Sequence, residues 1–531
     1  MIAASEIAQE GHVSTLTTLD YSVLCGYGLI VVALCLMVAK RSPDSDELFL
    51  AGRSLGPMVI GLSLFASNIS STTLIGLPGA AWEYGISVAN YEWMASVILL
   101  LSALFIVPVF LGQRLTTVPE IMEKRFDPRM RRYLSGTSLF LSIVLDTAGS
   151  LYAGALVLML FIPGLSLAPT CAAMALFAGV YTALGGLRAV VYTDVLQALV
   201  LLIGSLILTI IVFQEFDYSW SNLVSRVDAD HLSLIRPLDD PSLPWLGTLI
   251  GLPVLGFYYW TMNQYVAQRL LGARSADAAA KGAMLAAALK LLPLFLMVLP
   301  GAMAAALFTD LERADTVFPR LISEYAPPGI AGLMVAGLLA AIMSSVDSTL
   351  NSASTLFIVD FVKPKKPHLS TQQMAKLGRI STIALMIFAA LWAPAIDNFP
   401  GLFAYLQQAF SYVAPPLAAV FLAGFFSRRI TAPAALRGVI TGHVISLTFF
   451  LGAQLGWHNI HFTIVAGLLF ALTLVATLAW QGWINRGATI TTTDAQWQTV
   501  DTRNAQPVAL PVKIGIVTLL VATACLVLAF W

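Results

Sequence analysis

Long apolar stretches, cut by short polar or Pro/Gly-marked breaks, occupy most of this chain from Leu19 to Trp531. A helix needs about 20 apolar residues to cross the roughly 30 Å hydrocarbon layer of a bilayer, and lipid admits only structures whose backbone bonds are satisfied internally. The pattern therefore predicts an all-α polytopic membrane protein of about fourteen transmembrane helices, at 20–39, 56–80, 86–111, 133–162, 165–184, 189–214, 244–271, 278–308, 328–361, 373–397, 401–426, 432–455, 460–484 and 512–531. With the N-terminus outside, 24 of the 29 Lys and Arg fall at cytoplasmic loops, and four, Arg226, Arg236, Arg313 and Arg320, at external ones. That asymmetry predicts a multi-pass protein of the cell (plasma or inner) membrane with the N-terminus and the C-terminus both outside.

Composition agrees with a lipid-solvated chain. Of 531 residues 58% are hydrophobic and 11% charged, with a mean hydropathy of +0.82, whereas soluble domains carry roughly a quarter charged residues. The formal net charge is zero, which leaves no basic excess for nucleic acid. Cys25, Cys35, Cys171 and Cys525 lie in apolar runs without ligand spacing and read as packing thiols. The loops at 215–243 and 309–327 read as external and solvated, and the Thr-, Asp- and Gln-rich stretch 485–511 reads as a linker before the last helix. None of them is long enough for an enzyme domain.

Candidate chemistry lies inside the membrane. Six ionisable residues fall within helices: Glu92, Asp146, Asp194, Lys290, Asp347 and Asp360. Each costs at least a few kcal/mol in lipid and so is a functional candidate. Asp194 and Asp360 stand near helix ends, where water is within reach; Glu92, Asp146 and Lys290 stand deeper, and their opposite signs allow pairing. The run Ser67-Asn68-Ile69-Ser70-Ser71-Thr72-Thr73, followed by Gly76, Pro78 and Gly79, predicts a helix that unwinds at mid-membrane and turns carbonyls toward a cavity or a cation. Ser344, Ser345 and Ser348 share a helix face and can converge on one point. Hydroxyl and carbonyl oxygens without a carboxylate cage suit a monovalent cation such as sodium better than calcium. Five helices after the first break, Gly247, Gly251, Pro253 and Gly256 loosen the first half of 244–271, which matches a five-plus-five inverted repeat with broken first and sixth core helices.

At these residues the chain resembles the sodium/solute symporter family, in its sodium/glucose and bacterial sodium/galactose branch. The resemblance covers about 45–430 and is carried by FLAGRSLG (49–56), SLFASNISS (63–71), YEW (91–93), TVPEIMEKRF (117–126), ALGGLRAVVYTDVLQ (183–197), YYWTMNQYVAQR (258–269), MSSVDSTLNSASTLF (343–357) and YLQQAFSYVAPPLAAVFL (405–422). It implies a LeuT-like core at 46–430, preceded by an external segment and extra helix (1–45) and followed by added helices (431–531). It also implies sodium-coupled import of a neutral sugar or polyol, with sodium and the lipid bilayer as partners and no bond chemistry. The sodium ligands it implies are the carbonyls of Ala66, Ile69 and Ala341 and the hydroxyls of Ser344 and Ser345. Asp194 falls on the inward ion path, and Asp347 and Ser348 stand where some members hold a second sodium. The implied solute positions are Asn68, Glu92, Lys290 and Gln407, with Thr73 and Asp146 departing from the sugar carriers' usual residues and Tyr259 stacking as the inner gate. Leu77, Tyr91 and Phe403 fall at the outer gate. For Asp146 two partners are open, Lys290 or a cationic solute, and the latter keeps an amine or amino-acid symporter as an alternative, beside a transporter-like sensor.

Overall fold

The computed structural model describes residues 16–39, 45–309, 311, 313–398, 402–485 and 507–530. Among them there is no β-strand, and the helices that matter below are α1 (Thr18–Ala39), α2 (Pro57–Asn68), α3 (Ser71–Tyr84), α4 (Ala89–Phe105), α5 (Pro128–Phe140), α6 (Ala148–Phe161), α7 (Leu167–Gln214), α8 (Leu252–Phe257), α9 (Gln264–Leu271), α10 (Ala276–Leu289), α11 (Leu299–Leu307), α12 (Ile330–Leu356), α13 (Thr371–Trp392), α14 (Leu402–Phe426), α15 (Ala432–Gln454), α16 (Phe462–Asn485) and α17 (Leu510–Ala529). Ten described helical runs are long and apolar enough to cross a membrane, eleven if α2 and α3 form one span bent by 55°. Further apolar stretches at Thr18–Leu34 and Leu167–Gly179 are shorter.

The segments expected at 165–184 and 189–214 are two arms of α7 that meet at Gly186, where φ is +60°. A side chain there would be strained, and its Cβ would stand 2.7 Å from the Leu48 carbonyl, so glycine lets the bend pack directly on the segment Ser45–Leu50. α7 and α2 both pack against α12. Every residue of α12 from Ala340 to Leu356 is buried, including Ser344, Ser345, Asp347, Ser348, Thr349 and Asn351. A polar helix face at the centre of a membrane protein has to find its hydrogen bonds within the protein. That requirement draws the two broken helices onto α12.

The second break lies later than the glycines suggest. Gly251 and Pro253 only separate the short helix Trp245–Ile250 from α8. The chain continues through a π-helical turn, Tyr258–Met262, and leaves helical geometry at Asn263 (φ −65°, ψ 125°) before α9 begins. Asn263 caps α9, its Oδ1 accepting from the Tyr265 N–H at 3.4 Å.

Candidate functional site: a central cavity beside an oxygen-lined ion site

Between α2 and α3, Ile69 (ψ 79°) and Ser70 (ψ 176°) are not helical. In a continuous helix the N–H groups of Ser70 and Thr73 would bond the carbonyls of Ala66 and Ile69. Here Ser70 N–H turns to the Asn68 carbonyl at 2.8 Å and Thr73 N–H to the Ser70 carbonyl at 3.0 Å. The Ala66 and Ile69 carbonyls, both named from the sequence, thereby lose those helical donors. Across from them on α12, the Ser345 hydroxyl donates to the Ala341 carbonyl at 3.0 Å and lies 3.4 Å from the Ser67 carbonyl. The Ser344 hydroxyl donates to Asp194 Oδ1 at 2.5 Å. The expected ligands thus come from two facing elements, and their oxygens are of the kind a weakly held monovalent cation takes.

Asp194 does not reach water at its helix end. It is fully buried and paired with Arg269 of α9, whose Nη2 stands 2.9 Å from Asp194 Oδ2. Arg269 is equally buried and also donates to the hydroxyls of Ser63, Ser67 and Ser348. Ser67 in turn donates to Asp194 Oδ2 at 3.1 Å. Arg269 therefore stands among the residues, Asp194 and Ser348, that the sequence offered for a second ion or an exit path, and the third, Asp347, accepts from Ser348 at 3.2 Å. Counted as a loop cation from the sequence, Arg269 is a core residue. The signal for it was its place one helical turn after Tyr265 in the half-helix QYVAQRLL, inside the segment 244–271 expected to span the membrane. Asp360 is likewise buried rather than hydrated. It takes donors from Thr117 (2.8 Å), Ser135 (2.5 Å) and Arg131 (2.6 and 2.9 Å).

A cavity of about 160 Å³ opens beside the broken helix. Asn68, Thr73, Leu77, Tyr91, Glu92, Asp146, Tyr259 and Gln407, all singled out from the sequence, line it, together with Ser345 of the ion cluster. The side chain of Phe403 lies outside the described residues. Lys290 is not on the cavity wall. It is fully buried behind it, paired with Glu92, and its Nζ lies 5.4 Å from the centre of the Trp260 ring. The expected pairing among deep charges therefore holds, with Glu92 as the acid. Lys290 is accordingly not the partner of Asp146: Asn263 is the hydrogen-bonding side chain beside Asp146, and Asp146 Oδ2 has no hydrogen-bond partner among the described residues. Tyr259 accepts from Asn68 Nδ2 at 2.9 Å and from the Tyr265 hydroxyl, which joins the two broken helices at the cavity wall. Asn263 and Tyr265 went unmentioned at the sequence level; the only mark of their role was their place in YYWTMNQYVAQR.

The model of the sodium:solute symporter family matches residues 48–442. The chain belongs to this family. Sodium/glucose cotransporter 1 of Ovis aries is 33% identical over 518 residues, covering 87% of this chain and 78% of that protein. A sodium/mannose cotransporter of Bos taurus is 34% identical over 516 residues, covering 87% and 86%. Among solved structures, the substrate-bound, outward-open state of a Na⁺-coupled sialic acid symporter superposes with a TM-score of 0.78 at 25% identity, covering 88% of this chain and 98% of the other. The family member described here is thus a helical membrane transporter with a LeuT-like fold, coupled to sodium, and not an enzyme.

Proposed function

We propose that this symporter imports a neutral sugar or polyol with sodium by alternating access around the central cavity. The observation that carries the reading is the shared wall: Ser345, a candidate sodium ligand, faces the same cavity as Asn68, Glu92, Asp146, Tyr259 and Gln407. A pyranose has an apolar ring face and a rim of hydroxyls that both donate and accept. Amide and carboxylate groups can satisfy the rim while an aromatic ring covers the face. Glucose and mannose are the solutes named for the relatives of similar sequence.

A neutral solute requires that the positive charge facing Asp146 come from sodium, since Lys290 is committed to Glu92. Glu92 and Lys290 neutralise each other, and so do Asp194 and Arg269. On the cavity wall Asp146 remains, its Oδ2 without a hydrogen-bond partner among the described residues and open to a solute hydroxyl, and sodium on the neighbouring oxygens supplies positive charge when bound. The ion ligands are Ala66, Ile69, Ala341, Ser344 and Ser345; Leu77 and Tyr91 close the outer side and Tyr259 the inner side; both termini face outward. The moving core is 46–430. Sodium entering down a potential of about 100 mV releases about 2.3 kcal/mol per charge, enough for a roughly fiftyfold solute gradient.

A competition screen of neutral sugars, polyols, amines and acidic sugars in proteoliposomes with an inward sodium gradient tests this. Inhibition by one or more neutral sugars, and none by an acidic sugar, is expected, because a carboxylate would meet Asp146 in a low-dielectric cavity. Robust sodium-dependent transport of sialic acid would overturn the assignment.

A further inference from the structure

Away from the central cavity, a groove of about 450 Å³ opens where α5, α13 and the turn after α12 meet. Leu139, Phe361 and Leu377 wall it with Phe357, which is 39% exposed, and Lys365 and Lys366 border it. The rings of Phe357 and Phe361 lie 6.4 Å apart, centre to centre. Lys365 and Lys366 form no ion pair among the described residues. Their surroundings offer none in sequence either: from Phe361 to Ile396 the chain carries Lys363, Lys365, Lys366, Lys376 and Arg379 and not one Asp or Glu.

We propose that this groove binds an anionic phospholipid, one acyl chain lying against Phe357, Phe361 and Leu377 and the headgroup phosphate on Lys365 and Lys366. The chemistry selects that ligand on two counts. A lysine stem packs on apolar surface while its ammonium seeks an anion at the headgroup level, and a zwitterionic lipid would leave two uncompensated cations there. A soluble anion would leave the apolar walls unused. Basic pockets between membrane helices are an established way to hold such headgroups. The lipid would rest on the π-helical turn Phe357–Val362, whose inward side presents Asp360 to Arg131, Thr117 and Ser135. Occupancy would thus brace the end of the helix that carries Ser344 and Ser345, whichever solute the protein carries.

The test is retention of phosphatidylglycerol by the purified full-length protein in mild detergent, read by native mass spectrometry against phosphatidylcholine and inorganic phosphate. One tightly retained phosphatidylglycerol is expected. The exposed double variant Lys365→Gln/Lys366→Gln should weaken it about twentyfold to thirtyfold, the product of roughly fivefold per lysine, while Lys376→Gln, outside the groove, leaves it unchanged. Equal retention of the two lipids by the unaltered protein would overturn the proposal. So would an equal loss in Lys376→Gln, which would reduce the effect to a diffuse basic patch. Displacement of the lipid by millimolar phosphate would reassign the lysines to a free anion.

Discussion

Ser345 shows how much one hydroxyl can decide. It bonds the Ala341 carbonyl, approaches the Ser67 carbonyl and also lines the solute cavity. Removing one oxygen from a five-ligand site costs about as much as a hydrogen bond to charge, roughly 1.5–3 kcal/mol. Ser345→Ala should therefore weaken sodium activation of uptake at least about tenfold in a folded protein; an unchanged sodium dependence would take the serine out of the site. Asp146 gives a second residue-level expectation. With Lys290 committed to Glu92, a neutral solute loses only a hydrogen bond of about 1–1.5 kcal/mol in Asp146→Asn, so the apparent KM should rise about fivefold to tenfold with transport retained. A cationic solute would lose a desolvated charge pair instead, on the order of 3 kcal/mol and a hundredfold. A titration of uptake against solute separates the two. The sequence made Asp146 conspicuous but left two partners open, because the nearest opposite charge depends on which helix faces it.

The helices make their close contacts where side chains are missing. On α11, a Cβ at Gly301 would collide with the Pro78 backbone of α3, and one at Gly79 with the Ala314 carbonyl. Backbone cannot swing aside as a side chain can, so Gly301→Ala should cost about 1–3 kcal/mol of overpacking. Its thermal unfolding midpoint in detergent should fall, while Gly26→Ala on α1, whose Cβ meets nothing within 4 Å, leaves it unchanged. Breaks were unevenly legible at this scale. Six polar side chains between Ser67 and Thr73 announced the first one, since an apolar medium punishes each of them unless the backbone reorganises. The second was sought at Gly251 and Pro253 and found at Asn263. Glycine and proline permit a break; a side chain that can cap the next helix fixes where it falls, and Asn263 caps α9.

For the whole molecule, coupling requires that sodium and solute favour one conformation, so each must tighten the other's binding by the same factor. Solute affinity of the purified protein should rise in sodium and stay low in potassium or choline. Equal affinity in the three salts would leave a uniporter or a sensor. The shared position of Ser345 between the two sites is the structural basis for that expectation. What the sequence determined alone was the helical class, the polar interruption near residue 70, the serine face of α12 and part of the cavity wall. These follow from local rules: lipid charges each polar residue separately, and helical spacing places Ser344, Ser345 and Ser348 together whatever lies opposite. Tertiary structure alone decided the partnerships. Burial dictates that Asp194, Asp360 and Glu92 be compensated, yet the compensating Arg269, Arg131 and Lys290 stand 75, 229 and 198 residues away along the chain. Charge neutrality inside the membrane is a demand made by each residue, but it is met by packing, and no local pattern records which helix brings the partner.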